Sequence, residues 1–187
     1  MARLLVLGAG GYGRAVAEVA LSLGEYTVVG FVDDRWPEIP PVWGLPVLGR
    51  MADLPQLALL ADAAVPAIGD NAARQAACHQ AMAAGLALAS VIHPRAVVAP
   101  SAVLGQGVTV MAAAVIGTEA RIDEGAVINA AAVVDHQAQV GAYAYLGVGA
   151  CMGGGSTLAA GQRLLAGNTL APAQHLSLCK PGTPQAL

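Results

Sequence analysis

The segment VVDHQAQV, residues 133–140, places Asp135 and His136 among alanine, valine and glutamine. An imidazole titrates near neutral pH, so a histidine can take a proton from an attacking nucleophile. Asp135 could orient the ring, although neighbouring residues of a strand normally point to opposite sides. The alternative is an exposed histidine without a role. We predict that His136 is a general base, with Asp135 as its candidate partner.

A glycine-rich loop, GAGGYG at residues 8–13, follows an apolar run and precedes a helical pattern. Glycines let the backbone approach a phosphate, and a helix N-terminus favours an anion. Asp33 and Asp34 follow at about the 20-residue spacing at which an acidic residue holds ribose in dinucleotide sites. A nucleotide ligand, a nicotinamide cofactor and a purely structural turn therefore all remain open for this loop.

Residues 1–90 read as alternating strands and helices, which predicts a Rossmann-like α/β domain with a parallel sheet. The apolar runs typical of buried parallel strands are RLLVLGAG, YTVVGFVDD, AAVPAIGD and LALASVI. Helices are predicted for YGRAVAEVALSLG, LPQLALLAD and NAARQAACHQAMAAG. Only about 90 residues are available here, roughly half of a full doubly wound domain, which disfavours a nicotinamide site.

Residues 91–187 follow a different rule, a repeat with a period of six. All fifteen positions in steps of six from Ile92 to Leu176 are Leu, Ile, Val or Met. The position four further on is alanine in most repeats. A period of six fits a chain that turns a corner every six residues, so that about 18 residues form one coil of a triangular prism. We therefore predict a parallel β-helix domain of nearly five coils, with the tail CKPGTPQAL at its end.

Composition excludes several classes of partner. No apolar run reaches the roughly 18 to 20 residues that span a bilayer, so we predict no membrane insertion. The net charge is −3 without a basic stripe, which disfavours nucleic acid. The three cysteines are widely spaced and predict neither a disulfide framework nor a metal site. The apolar N-terminus is read as a buried strand rather than a signal peptide, and we expect a cytoplasmic protein.

Taken together, the motifs resemble those of the sugar acetyltransferases that include sialic-acid O-acetyltransferases and bacillosamine-pathway UDP-amino-sugar N-acetyltransferases. The matching pieces are LGAGGYGR, VVGFVDD, PVLG, AIGDNAAR, VIHPRAVVAPSA and INAAAVVDHQAQVG, and they cover essentially residues 3–160. The resemblance implies a left-handed β-helix, acetyl-coenzyme A as co-substrate, a homotrimer and a nucleotide-sugar or sugar-acid acceptor. It implies no metal.

The resemblance also assigns roles to residues. It implies His136 and Asn129 as catalytic residues, and it places coenzyme contacts near Tyr145, Gly154 and Ala166. The implied acceptor contacts are Gly10, Gly11, Tyr12, Asp33, Asp34 and Gly69.

Three features depart from the family pattern. Tyr12 stands where histidine is common, Gln137 replaces an acidic residue after the catalytic histidine, and the hexads fade after Leu158. We expect N-acetylation of a nucleotide-linked amino sugar. The alternatives are O-acetylation of a sialic-acid-type sugar and a non-catalytic trimeric β-helix that binds a ligand or acts as a scaffold.

Overall fold

The computed structural model describes residues 1–177. The first part of the chain is a five-stranded parallel sheet with strand order β3-β2-β1-β4-β5. Its strands are β1 (Ala2–Leu7), β2 (Tyr26–Val32), β3 (Val47–Gly49), β4 (Ala63–Pro66) and β5 (Ala87–Leu88). Helices α1 (Gly11–Leu23), α2 (Leu54–Leu57) and α3 (Asn71–Ala83) connect them, and the 3₁₀ turns Met51–Asp53 and Ala58–Leu60 flank α2.

Two details of this sheet differ from the prediction. The run LALASVI was predicted as one strand, but it divides: Ala87–Leu88 completes the α/β sheet, and Val91–Ile92 begins the β-helix. Ser90 marks the division, because its hydroxyl bonds to the Val108 N–H and the Gly105 carbonyl of the first coil. The short β3 was not predicted as a strand. The domain boundary between residues 90 and 91 stays a prediction.

The second part is a left-handed β-helix, as predicted, built from three five-stranded parallel sheets. We name its faces the docking face, the valine face and the polar face. The docking face comprises β6 (Val91–Ile92), β9 (Thr109–Val110), β12 (Val127–Ile128), β15 (Tyr145–Leu146) and β18 (Arg163–Leu164). The valine face comprises β7 (Val97–Val98), β10 (Val115–Ile116), β13 (Val133–Val134), β16 (Cys151–Met152) and β19 (Thr169–Leu170). The polar face comprises β8 (Val103–Leu104), β11 (Arg121–Ile122), β14 (Gln139–Val140), β17 (Thr157–Leu158) and β20 (His175–Leu176).

The repeat explains the interior of this prism. Each strand pairs with the one 18 residues later, as Val115 does with Val133, so equivalent side chains stack. Eleven of the fifteen predicted aliphatic positions are buried in the central core, and the other four, Ile92, Val98, Leu104 and Leu176, are partly buried and pack against it. The small residue four positions on joins them as far as Ala150. After Ser156, which is fully buried, the small-residue position is occupied by Gln162, Asn168 and Gln174. The small apolar residue is therefore lost in the last coils, while the aliphatic residue continues to Leu176.

The corners impose a backbone requirement at every sixth residue from 107 to 173. All twelve of these residues have a positive φ, and only six of them are glycine. A non-glycine residue in this left-handed region costs roughly 1–2 kcal/mol. Gln137 is one of these corner residues, with φ 58°. Its backbone conformation is therefore that of a prism corner, shared with the other eleven corner residues.

The docking face packs against the α/β region. Its outward residues Val91, Thr109 and Val127 are fully buried. A buried arginine of α3, Arg74, joins the two parts through hydrogen bonds to carbonyl oxygens. Within residues 1–177, no helix is long and apolar enough to cross a membrane. The tail CKPGTPQAL, predicted to stand at the end of the β-helix, comprises residues 179–187 and lies outside the described range.

Candidate functional site

His136 lies at an exposed corner of the prism, between β13 of the valine face and β14 of the polar face. Its side chain is 61% exposed. The imidazole rests against Gly154, which occupies the same corner one coil later. A Cβ atom at residue 154 would lie 2.4 Å from the histidine Cε1 and 2.5 Å from its Nε2. Only glycine leaves room for the ring in this position.

The two neighbours of His136 have partners of their own. Asp135 accepts a hydrogen bond from the His136 backbone N–H at 2.7 Å through Oδ1. Its Oδ2 lies 3.9 Å from the His136 Nε2, too far for a hydrogen bond but close enough for charge attraction. Gln137 donates from Nε2 to the Glu119 carboxylate at 3.0 Å. The nearest carboxylate to the imidazole is therefore that of Asp135.

A cleft of about 270 Å³ opens at the carboxyl ends of the parallel strands. It is lined by the glycine loop after β1, by Asp33 and Arg35 after β2, and by Ile68 and Gly69 after β4. Ligands of open α/β sheets bind at this edge. Five of the predicted acceptor residues meet here: Gly10, Gly11, Tyr12, Asp33 and Gly69.

The glycine loop is fixed by close backbone approach. A Cβ atom on Gly13 would lie 1.9 Å from the Gly8 carbonyl oxygen, and Gly8 itself has φ 108°. Gly10 precedes α1 without a side-chain cap. The N–H groups of the first helical turn therefore have no side-chain acceptor and can face a ligand.

The two predicted acidic residues have separate surroundings. Asp33 is buried and accepts hydrogen bonds from Ala9 and Arg35. Burial alone would raise its pKa, but these hydrogen bonds lower the pKa below its ordinary value. Asp34 does not line the cleft. Its carboxylate accepts a hydrogen bond from the Met51 N–H at 2.9 Å and so holds the turn before α2.

Tyr12 joins the glycine loop to the docking face. Its hydroxyl bonds to Thr109 Oγ1 at 2.5 Å, and burial raises the pKa of this phenol well above its ordinary value. Its ring meets the ring of Tyr145 edge-on, with centroids 6.4 Å apart. The Tyr145 hydroxyl accepts a hydrogen bond from Asn129 Nδ2 at 2.8 Å. Tyr145 and Asn129 therefore lie beside the α/β region, and Tyr145 is held by residues of its own chain.

A cation also lies over Tyr145. The guanidinium carbon of Arg163 is 4.0 Å from the centroid of the ring, a cation–π contact. Arg163 also donates to the Gly69 carbonyl at 2.6 Å, so the last wall of the cleft is fastened to the prism. Sequence reasoning missed Arg163, Arg35 and Arg74. A signal existed only for Arg35, which directly follows the acidic pair.

A single chain does not bring all predicted site residues together. His136 and Gly154 share the edge between the valine and polar faces. Ala166 lies at the other edge of the valine face, between β18 and β19, and Asn129 occupies that same edge. The cleft at the glycine loop belongs to the α/β region, which packs on the docking face opposite the His136 edge. Two groups of site residues therefore face different sides of the prism.

A second cluster of titratable residues lies where α3 meets the prism. The Tyr143 hydroxyl donates to the Glu124 carboxylate and lies 3.3 Å from His79 Nε2. Burial and the glutamate raise the pKa of Tyr143. Across residues 1–177, no group of three or more His, Cys, Asp or Glu side chains could hold a metal ion.

Comparison with known proteins places this geometry in a family. Residues 3–81 match the PglD N-terminal domain. The acetyltransferase domain of PglB from Neisseria gonorrhoeae, solved with acetyl coenzyme A, is 33% identical, with a TM-score of 0.79. The match covers 92% of this chain and 94% of that one. The chain belongs to this family of sugar acetyltransferases.

Two other structures of sugar acetyltransferases align with this chain over nearly their whole length. PerB from Caulobacter crescentus, solved with CoA and GDP-perosamine, is 33% identical over 95% of this chain and 92% of that one, with a TM-score of 0.76. A histidine-to-asparagine variant of the same perosamine N-acetyltransferase was solved with both ligands and is 34% identical over 94% and 90%, with a TM-score of 0.72. No curated protein sequence matches the chain significantly. The predicted family and fold class are confirmed.

Proposed function

We propose that the chain is an acetyl-CoA-dependent N-acetyltransferase that acetylates the amino group of a nucleotide-linked amino sugar. The observation that carries this proposal is the likeness to PerB, which was solved with both CoA and GDP-perosamine. The acceptor cleft at the glycine loop suits the nucleotide part of such a substrate. Acetyl-CoA bound to the PglB domain supports the donor. We expect the enzyme in the cytoplasm.

In this proposal residues 1–90 form the acceptor domain. Gly10 and Gly11 bring backbone N–H groups to the phosphates, and Gly69 forms the opposite wall. Tyr12 supports the loop from beneath, because its hydroxyl is already bonded to Thr109. Asp34 contributes indirectly, through the turn that begins at Met51.

The chemical step assigned to His136 is proton transfer. The neutral amine of the acceptor attacks the thioester carbonyl carbon, and His136 takes the proton that the nitrogen loses as the C–N bond forms. The C–S bond then breaks, and the imidazolium returns the proton to the departing CoA thiolate. Asp135, with Oδ2 3.9 Å from Nε2, is the carboxylate that faces the positive charge formed on the ring in this step.

The same corner offers a donor for the developing oxyanion. The imidazole lies against Gly154, whose N–H makes no hydrogen bond within residues 1–177. A preorganised backbone donor of this kind stabilises a tetrahedral intermediate. Gly154 therefore has two roles in the proposal: it leaves room for the ring, and it polarises the thioester carbonyl.

A homotrimer would complete the site. On the valine face, Val97 is 62% exposed and Val115 is 37% exposed, which suits a face covered by another chain. Placing two prisms side by side brings the His136 and Gly154 edge of one chain toward the Ala166 edge of its neighbour. The coenzyme would lie in that groove, and the acceptor cleft of a neighbour would supply the sugar.

Mixed trimers test both the base and the shared site. His136→Ala should lower kcat about 10²-fold or more without loss of acetyl-CoA binding. Gly11→Glu should abolish turnover by charge repulsion, and it should fold because nothing lies within 4 Å of a Cβ there. Co-expressed with different tags and purified as mixed trimers, the two inactive chains should regain activity.

The results of these experiments distinguish four interpretations. Full activity of His136→Ala would remove the base assignment. If the mixed trimers are inactive although each chain binds acetyl-CoA by calorimetry, the hypothesis of a site shared between chains is wrong. Acetylation of hydroxyl but not amino acceptors would convert the proposal into O-acetylation. If the wild type does not bind acetyl-CoA at millimolar concentration, the enzyme proposal is wrong and the non-catalytic binding or scaffold protein is the better description.

A further inference from the structure

The Asp33 carboxylate has no capacity left for a ligand. Its Oδ1 accepts from the Arg35 N–H and Nε–H, each at 3.0 Å. Its Oδ2 accepts from the Ala9 N–H at 2.8 Å and from Arg35 Nη2 at 3.0 Å. Two oxygens with about four lone-pair sites are thus filled by four donors. Asp33 therefore cannot hold ribose hydroxyls as the acidic residue of a dinucleotide site does.

Arg35 uses only some of its N–H donors to hold Asp33. Arg35 contacts Asp33 with the side of its guanidinium, through Nε and Nη2. Within residues 1–177, neither N–H of Nη1 makes a hydrogen bond, and Nη2 has one N–H to spare. The side chain is 60% exposed, and Nη2 lies 3.8 Å from the place where a Cβ on Gly10 would stand. Nη2, with its spare N–H, thus lies beside the glycine loop, and Arg35 lines the cleft.

We infer that Arg35 binds the diphosphate of the nucleotide-linked acceptor, and that Asp33 is the positioning residue that holds Arg35 over the loop. This inference rests on the proposed function. A guanidinium can present one edge to a carboxylate and another to a phosphate, each through two parallel N–H bonds. Lysine has a single ammonium and cannot reproduce that geometry. Because hydrogen bonds lower the pKa of Asp33, the ion pair persists at neutral pH.

Calorimetry of the full-length protein with UDP, GDP, uridine and guanosine tests this assignment. Arg35→Ala should weaken binding of the tighter diphosphate about 10- to 100-fold, the range for charged hydrogen bonds, and leave the matching nucleoside unchanged. Arg35→Lys should recover only a small part of the loss. The matched control is Arg3→Ala, which breaks another arginine–aspartate pair, Arg3 with Asp62, at the opposite end of β1. It should bind as the wild type does.

Asp33→Asn separates positioning from simple charge. Removing a negative charge from the cleft would by itself tighten binding of an anion. If Asp33 acts by holding Arg35, the variant should instead bind the diphosphate more weakly than the wild type, with the nucleoside again unchanged. Tighter binding would overturn the positioning role.

The other possible results separate the role of Arg35 from the proposed function. Equal losses for diphosphate and nucleoside in Arg35→Ala, or no loss in either, would overturn the phosphate assignment and leave the proposed function standing. A wild type that binds neither UDP nor GDP would overturn the nucleotide-linked acceptor itself, and the inference with it. Melting temperatures of all variants identify any that lose the fold, and Arg35→Gln then replaces a misfolded Arg35→Ala.

Discussion

Replacing Arg74 with methionine should destabilise the contact between the α/β region and the prism. Arg74 is fully buried on α3, and its guanidinium donates to the carbonyls of Ile68 at 2.9 Å, Gly125 at 2.8 Å and Tyr143 at 2.7 Å. Nη2 also donates to the Asn71 Oδ1 at 3.0 Å. Burial lowers the pKa of this guanidinium, yet its acceptors are all uncharged. Methionine keeps the length of the side chain and removes every donor.

The expected loss in the free energy of unfolding follows from the carbonyl groups that lose their hydrogen-bond donor. Among residues 1–177, the carbonyls of Ile68, Gly125 and Tyr143 have no other hydrogen-bond donor. Each unsatisfied buried group costs about 1–3 kcal/mol. Relief from burying the arginine charge offsets part of this cost. We therefore expect a loss of about 3–5 kcal/mol in the free energy of unfolding, within the range for broken buried networks.

Urea unfolding at a fixed protein concentration measures the effect. The two tryptophans of the chain, Trp36 and Trp43, both lie in the α/β region, so their fluorescence reports its unfolding, while circular dichroism reports the whole chain. Arg3→Met is the matched control, because the ion pair of Arg3 with Asp62 is half exposed and exposed pairs contribute about 0–1 kcal/mol.

A loss below about 1 kcal/mol, equal to that of Arg3→Met, would refute the reasoning, because three orphaned carbonyls cannot cost so little. A large loss seen by circular dichroism at unchanged fluorescence would also refute it. That result would mean that Arg74 stabilises the prism and not its junction with α3.

Two further predictions concern single positions. Gly154→Ala should lower kcat at least about 10-fold, because its Cβ must displace the His136 ring and misplacing a catalytic group by 1 Å can cost 10²-fold. The control is Gly155→Ala: its Cβ meets nothing within 4 Å, and alanine already occupies an equivalent positive-φ corner at residue 131, so the backbone cost of this corner should lower stability and not kcat. Equal losses of kcat in both variants would contradict the argument. Cys78 should resist iodoacetamide at pH 8 until urea unfolds the protein, because burial raises its pKa to about 12 and leaves a thiolate fraction of about 10⁻⁴. Peptide mass spectrometry measures this protection, and rapid native labelling of Cys78 would contradict it.

The prism could be predicted from the sequence because its geometry acts on every sixth residue. The interior admits one aliphatic and one small residue per face, so Val134 and Ala138 are fixed by the same constraint as their counterparts in each coil. The corners are less visible, because only half of the positive-φ positions carry glycine. The choice of docking face was not predictable. Outward valines occur on the docking face, as Val127 does, and on the valine face, as Val115 does.

The candidate site was partly predictable for similar reasons. The glycine loop has a local signature, and its lining of the cleft follows from the strand–loop–helix order. The pairing of Asp33 with Arg35 depends on the path of the turn after β2, which the letters DDR do not reveal. The contact of His136 with Gly154 follows from the sequence repeat, because residues 18 apart stack in such a prism. The link between Asn129 and Tyr145 crosses from one coil to the next around a corner and has no simple period.

The 18-residue coil also restricts how the length of this chain can change in evolution. Removing 18 residues from the prism takes out one coil and returns every later side chain to the same face. Removing six would rotate all later coils by one face and exchange the valine, polar and docking surfaces. A single-residue deletion within a strand would turn the aliphatic ladder outward from that point on. Insertions and deletions in relatives should therefore come in whole coils or lie at corners, where a loop can leave the prism without disturbing its register.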